Sequence, residues 1–389
     1  MIDAALAPQV DTGAMQQSAG QTWVVMFSGS PWQAAAHRQH ALARELATSF
    51  RVLYVDPPSN ARSTQFRVQQ VGESVWQAVV PAPLPYARHV PAANRLGRRV
   101  AAEAVRSWLD ARPGPRLLWL DEDLAAPVAG RIGEQAVIYD GTDLDWTFTR
   151  PWNRRHLRGS LRAAVAAADL VTVSSTALPP RLPASARKAV VVPNGCDPDH
   201  FRPDGPVAPW LAALPRPRIG YLGAIDTRAL DGRLVTQLAR QFPRWTFVLA
   251  GPGTRAGRRQ LRGLPNVHLA GPIPYVDAPA VVRGFEVGII PYRLGGLIDY
   301  VHPKKCYEYL AAGLPVVATP LPSLVTMEAP IRLASGVAAF GAAVAAALAE
   351  PDDAAVIRRR RDVGLANNWA LRGEQLRTLL ASLDRSTTC

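Results

Sequence analysis

Lysine is nearly missing from this chain of 389 residues: among 44 basic residues only Lys188, Lys304 and Lys305 are lysines. Cysteine is scarce as well. Cys196, Cys306 and Cys389 are too few and too scattered for a disulfide framework or a zinc site, and they suit a reducing, cytosolic compartment. No apolar run reaches the ~18 residues of a membrane span. The alanine-rich stretch 336–350 is shorter and reads as a helix with one buried face. Residues 1–20 have neither a basic start nor an apolar centre, so they read as a disordered tail rather than a signal peptide. The first apolar strand is followed by FSGSPW (27–32), with a single glycine, and not by G-x-G-x-x-G. Neither G-x-x-x-x-G-K-[ST] nor G-x-S-x-G occurs. These absences weigh against a dinucleotide dehydrogenase, a P-loop ATPase and a serine hydrolase elbow.

What is present is an ordinary globular balance, 48% hydrophobic and 19% charged, in a length that suits two or three domains. The formal charge of +13 calls for a polyanionic neighbour or a solvated arginine-rich surface. Two segments carry much of it, RLGRRVAAEAVR (95–106) and TRPWNRRHLRGSLR (149–162), both patterned as basic amphipathic helices. They have few aromatics for base stacking, and no zinc finger or RNA-recognition signature accompanies them, so no nucleic-acid partner is expected. Solvated faces and docking on an anionic leaflet are the two readings left open.

From Thr22 onward, short apolar runs alternate with helical patterns: TWVVMFS (22–28), a helix over 33–50, RVLYVDP (51–57), a helix near 94–112, RLLWL (116–120), AVIYD (136–140), LVTVSS (170–175) and AVVVPN (189–194). Residues 196–217, rich in proline and polar side chains, read as a linker. The rhythm then restarts with RIGYLGA (218–224) and WTFVLAG (245–251) and continues through VHLAG, VGIIPY, PVVATP and IRLAS. Near-continuous apolar strands separated by helices predict parallel sheets covered on both faces. The expected organisation is a tail (1–20), a doubly wound α/β domain (21–203), a second one (204–370) and a terminal helix (371–389) packing back toward the first domain. Ligands of such sheets bind beyond the carboxyl ends of the strands, which places the main site in a cleft between the domains.

The lysines cluster in HPKKCYEYLAAGLPVVATP (302–320). Pro303 is a good helix starter, and a helix start attracts phosphate. Lysines in a first turn oppose the helix dipole unless an anion is bound there. Glu308, three and four residues after Lys305 and Lys304, could accept bonds from both hydroxyls of a ribose. The alternative is a plain Lys–Glu surface pair, although lysine before glutamate is the weaker order.

YEYLAAGLPVVAT resembles the carboxyl-terminal signature of GT-B glycosyltransferases of the broad glycogen-synthase-like (GT4) group. VVVPNGCDPDHFRP (190–203), RIGYLGAIDTRALD (218–231), FPRWTFVLAGPG (242–253) and LPNVHLAGPIPYVDAP (264–279) resemble further segments of that group, so the likeness covers roughly residues 20–370. YDGTDLDW (139–146) is similar to a segment of bacterial teichuronic-acid-type transferases. The resemblance implies two Rossmann-like domains facing across a cleft, with the acceptor on the first and a nucleotide-diphosphate sugar on the second. It implies transfer of a sugar to a polysaccharide, glycolipid or small-molecule acceptor, with retention, in the cytoplasm or peripherally at the membrane's inner face. Neither a cofactor nor a metal is required. Two other readings stay open: a nucleotide-sugar epimerase of the same fold, and a silent subunit that binds a partner transferase.

Site residues follow position by position. Glu308 matches the ribose-binding glutamate, and Lys305 the lysine of P-x-K-x-x-E, for the departing diphosphate. Gly223 lies in the turn that opens the nucleotide domain, and Arg228 stands where the group places a basic residue on the diphosphate. The group's E-x7-E departs here: its first glutamate is replaced by Tyr300, with Asp299 the acidic neighbour and a candidate substitute. Asp140 and Asp143, at the end of AVIYD, could orient or deprotonate an acceptor hydroxyl. Gly29 permits close backbone approach, and His37 and Arg38 could reach the acceptor.

Overall fold

The computed structural model describes residues 20–33, 37–142, 144, 153–186, 188–296, 298–351 and 353–385. Of the positions named above, residues 1–19, Asp143, the start of the basic segment 149–162 and Cys389 fall outside them.

Strands that are apolar on both sides need cover on both sides, and the chain supplies it by alternating them with helices. The first half runs through β1 (Trp23–Phe27), α1 (Arg38–Leu46), β2 (Arg51–Val55), β3 (Arg67–Gly72), β4 (Val75–Val79) and α2 (Pro91–Asp110). It continues with β5 (Arg116–Leu120), β6 (Ala136–Gly141), α3 (Arg154–Ala167), β7 (Leu170–Val173) and β8 (Val190–Val191). These form an eight-stranded sheet of order β3-β4-β2-β1-β5-β6-β7-β8. Every pair is parallel except β3 with β4, an edge hairpin in the loop-rich stretch after the second strand. β1, β2 and β6 are buried at every position, whereas β3 at the edge is mostly exposed.

The linker region holds one helical turn, α4 (Pro209–Ala212), pinned by the fully buried Leu211. Then come β9 (Arg218–Leu222), α5 (Gly232–Gln241), β10 (Thr246–Ala250), α6 (Arg255–Leu261), β11 (Val267–Gly271), α7 (Ala278–Val282), β12 (Val287–Ile290) and α8 (Lys305–Ala311). β13 (Val316–Ala318), α9 (Pro322–Val325), β14 (Ile331–Leu333), α10 (Val337–Leu348), α11 (Ala354–Ala366) and α12 (Trp369–Arg385) complete the chain. The second sheet is parallel throughout, in the order β11-β10-β9-β12-β13-β14. Both sheets are doubly wound, with the strand order reversing at β1/β5 and at β9/β12. Crevices at those points are where ligands of open α/β sheets sit.

α12 crosses back to the first sheet, where Leu376 and Leu380 are fully buried beside Val24, Met26 and Trp119. Among the described residues no helix is long and apolar enough to cross a membrane.

Candidate functional site in the cleft

Packing around one tyrosine sets the position of α8. The Tyr309 ring is fully buried against Gly288 of β12, where a Cβ would come within 2.5 Å of it. Its hydroxyl accepts a 2.7 Å bond from the Leu222 amide at the end of β9. The helix opening is thereby fixed beside the turn that follows β9. The regular helix begins at Lys305 rather than at Pro303, because the Cys306 and Tyr307 amides turn back onto the Pro303 and Lys304 carbonyls.

That turn is built from two glycines. Gly223 (φ +155) leaves room for Lys305, since a Cβ there would lie 3.0 Å from Lys305 Cε. Gly251 (φ +144), after β10, packs its α-carbon against the Gly223 carbonyl, and any side chain would collide with it at 2.1 Å. Glycine alone meets both demands. The result is a cavity of about 290 Å3 floored by these turns and walled by Ile273, Tyr275, Phe201, Lys305 and Glu308. His37 of the first domain also lines it, so the cavity spans the cleft.

Lys304 and Lys305 line it and Arg228 does not, and the three differ in their partners. Lys304 Nζ is 3.0 Å from Glu308 Oε1. Arg228 lies on an exposed turn and is held by Asp226, with Nη2 to Oδ2 at 2.6 Å. Lys305 Nζ donates to the Tyr292 hydroxyl and sits 4.7 Å over the Tyr292 ring and 5.2 Å over that of Tyr221. No carboxylate pairs with Lys305 among the described residues. An ammonium cradled by two aromatic faces, with no counter-ion, is poised for an anion. Asp299 stands apart: its Oδ1 accepts from the Gly295 amide at 3.0 Å within its own loop. Tyr300 packs against the first domain's core, under the Arg181 guanidinium at 5.3 Å.

A second cavity, about 310 Å3, opens at the carboxyl ends of β1, β5 and β6 and shares His37 with the first. Gly29, Arg38 and Asp140 line it, together with Arg88, Asp121 and Glu122. Asp140 is fully engaged. Arg38 binds it through two nitrogens, at 2.9 and 3.0 Å, and the Thr172 hydroxyl donates to it at 2.8 Å. Arg38 also donates to the Pro193 carbonyl, and neighbouring Asn194 donates to the His302 carbonyl at 2.6 Å. A hydrogen-bonded chain therefore runs from β6 to the residue before Pro303. Burial, reinforced by Lys304, lowers the His37 pKa and favours the neutral imidazole.

Asp121 was not singled out from sequence. Its Oδ1 accepts the Gly29 amide at 2.6 Å, and its Oδ2 is sealed from solvent without a partner. Burial raises its pKa to about 7, with Asp140 adding to the shift, while the Ser28 hydroxyl, the Gly29 amide and Arg98 oppose it. Glu122 beside it is neutralised by Arg88 and Arg98. The signal was available in LDED (120–123): an acidic run at the carboxyl end of a strand is the placement that drew attention to Asp140. Tyr292, at the end of β12 in IIPY, was legible by the same rule.

Taken together, two doubly wound domains with a cleft between them define the GT-B fold, and residues 216–350 match the family model described as Glycosyl transferases group 1. The chain is 31% identical over 211 residues to TuaH of Bacillus subtilis strain 168, assigned as a teichuronic acid biosynthesis glycosyltransferase. That match covers 50% of this chain and 53% of TuaH, so the chain spans about half the length of the curated relative it matches. Sucrose-phosphate synthase from Thermosynechococcus elongatus superimposes with a TM-score of 0.75 at 19% identity, covering 94% of this chain and 100% of that one. HepE from Anabaena, solved with UDP and glucose, gives a TM-score of 0.66 at 14% identity, covering 93% of this chain and 100% of that one.

Proposed function

We propose that this protein is a glycosyltransferase that moves a sugar from a nucleotide-diphosphate sugar to a glycan, lipid-linked or small-molecule acceptor, with retention of anomeric configuration. One observation carries the reading: Lys305, an ammonium without a counter-ion among the described residues, lies in the same cleft cavity as a buried carboxylate, Glu308. The pairing suits a nucleoside diphosphate, whose ribose offers donors to Glu308 while its phosphates offer charge to Lys305. Negative charge on the leaving diphosphate grows toward the transition state, so Lys305 contributes more to turnover than to ground-state binding. Gly223 keeps the space beside the ammonium open. Arg228 and Asp299 would join the donor side only by exchanging their present partners.

The acceptor occupies the neighbouring cavity, against Gly29, His37 and the Arg38–Asp140 pair. Asp140 acts there through Arg38, which it orients. Asp143 belongs to the same acceptor side in this reading. Work at the cytoplasmic face of the membrane is part of the same reading. The two-sided cleft, the family match and the UDP bound by HepE support it.

Calorimetry with UDP and a panel of nucleotide sugars, followed by product analysis with and without glycan acceptors, tests the reading. Micromolar binding of a nucleotide sugar and acceptor-dependent release of the nucleoside diphosphate are expected. Interconversion of the sugar with donor alone, or no nucleotide binding at all, would overturn it.

A further inference from the structure

A cavity of about 790 Å3 lies on the flank of the first domain, between α2 and α3 and beneath the loop after β5. Its charged lining is Arg95, Arg99, Arg131 and Arg155 with His156, and among the described residues no carboxylate lines it. None of the four arginines forms an ion pair among the described residues. Arg95 and Arg99 stand one turn apart on α2, and Arg155 is in the first turn of α3, a position that opposes the helix dipole. Four uncompensated guanidinium groups around one hollow repel one another. The arrangement becomes favourable when an anion enters, and the planar forks suit phosphate oxygens.

Close in sequence to that lining, the surface carries exposed apolar side chains. Leading into α2, Leu84, Tyr86 and Val90 are 40%, 64% and 54% exposed, and Leu96, next to Arg95, is 48% exposed. Tyr86 is the one non-glycine residue with positive φ (51°) among the described residues. Such a backbone is strained for a bulky side chain and is kept where the strain serves a purpose. Here it turns the ring outward. The patch also adjoins the acceptor cavity: Arg88 lines that cavity, and its carbonyl lies 3.3 Å from Nε2 of His156 in the arginine hollow.

We propose that this face docks on an anionic phospholipid bilayer, the arginines binding lipid phosphates while Leu84, Tyr86, Val90 and Leu96 enter the interfacial layer. Basic charge attracts the surface and apolar burial holds the contact. Docked this way, the edge marked by Arg88 faces the lipid, and an acceptor carried on a lipid phosphate reaches the cleft without leaving the bilayer. The docking does not depend on what the cleft does; only the lipid-borne acceptor rests on the transferase reading.

Sedimentation of the full chain with phosphatidylcholine vesicles, with and without phosphatidylglycerol, tests the docking. Binding to the anionic vesicles, weak binding to the neutral ones and loss with rising salt are expected. Each arginine removed should lower the partition coefficient about fivefold, so Arg95→Gln with Arg99→Gln should lower it about 25-fold. The same variant should keep the wild-type melting temperature within a few degrees, which shows that it has folded. Tyr86→Ser with Leu96→Ser should weaken vesicle binding while keeping its salt dependence. Equal sedimentation with neutral vesicles, none with either kind, or an arginine variant that partitions like wild type would each overturn the proposal. So would binding of a duplex oligonucleotide or of inorganic phosphate, measured by calorimetry, with no vesicle binding. Vesicle binding in a protein that turns over no nucleotide sugar would leave the docking standing and remove the transferase reading instead.

Discussion

Lys304 reaches across one helical turn to Glu308, Nζ to Oε1 at 3.0 Å, and so occupies the carboxylate proposed for the ribose. Lysine before glutamate is the weaker order for a helix pair, and an ion pair with one partner 32% exposed contributes at most about 1 kcal/mol. A ribose can therefore displace the lysine at small cost. Glu308→Ala should weaken both the nucleoside and its diphosphate by at least about tenfold, since bonds to a charged group contribute about 1.5–3 kcal/mol. Lys304→Met should change either affinity by no more than about fivefold. Calorimetry checks both, and undiminished nucleoside binding by Glu308→Ala would return Glu308 to a helix-surface role.

Lys305 should behave differently from Glu308. It contacts two tyrosine rings and the Tyr292 hydroxyl, none of which neutralises its charge. Lys305→Ala should lower nucleoside-diphosphate affinity about 10- to 100-fold and depress turnover further, leaving the bare nucleoside unaffected. Tyr292→Phe removes only the hydroxyl and keeps the ring, so its effect should be a few-fold at most. A Lys305→Ala variant that loses the nucleoside as well would place the lysine in the support of the pocket rather than on the phosphates.

The strands and the reversal of order were legible because fully buried strands must be apolar at every position, as VVMF in β1 and FVLA in β10 are. The pair Lys305 and Glu308 was legible because one short helix carries both. Tyr221 and Phe201 were not, because a buried aromatic looks the same in a core as beside a pocket; only the tertiary crossing of α8 over β9 and β12 distinguishes them. The Arg38–Asp140 pair spans 102 positions in sequence, a separation at which no local pattern signals contact.

That pair sets a third expectation. Arg38 and Asp140 are buried, with side chains 5% and 1% exposed, and each satisfies the other. Removing one partner leaves a buried charge, which costs about 3–5 kcal/mol. Arg38→Ala should lower unfolding stability by about that amount, and Arg38→Lys, which cannot bind in a fork, by somewhat less. Asp140→Asn should slow transfer while nucleotide affinity stays within about threefold, because the pair lies on the acceptor side. Urea unfolding and UDP calorimetry on the same samples measure both. Loss of UDP binding in a folded Asp140→Asn protein would move Asp140 to the donor side.

The pH dependence of stability should carry the mark of Asp121. Burial raises its carboxyl to about 7 in the fold, against about 3.9 for an unperturbed aspartate. The folded state thus holds this proton more tightly than the unfolded one. The stability the group contributes is whole below about pH 4 and is lost as pH rises through about 7. Asparagine stays neutral at every pH, and its side-chain oxygen can still accept the Gly29 amide that now bonds Oδ1. The melting temperature of Asp121→Asn minus that of wild type should therefore climb between about pH 4 and pH 7 and level off above. Melts in matched buffers at constant ionic strength read this difference directly. A difference that is flat across that range would mean that Asp121 is already ionised in the fold at pH 5, stabilised by Arg98 and the Gly29 amide against its burial.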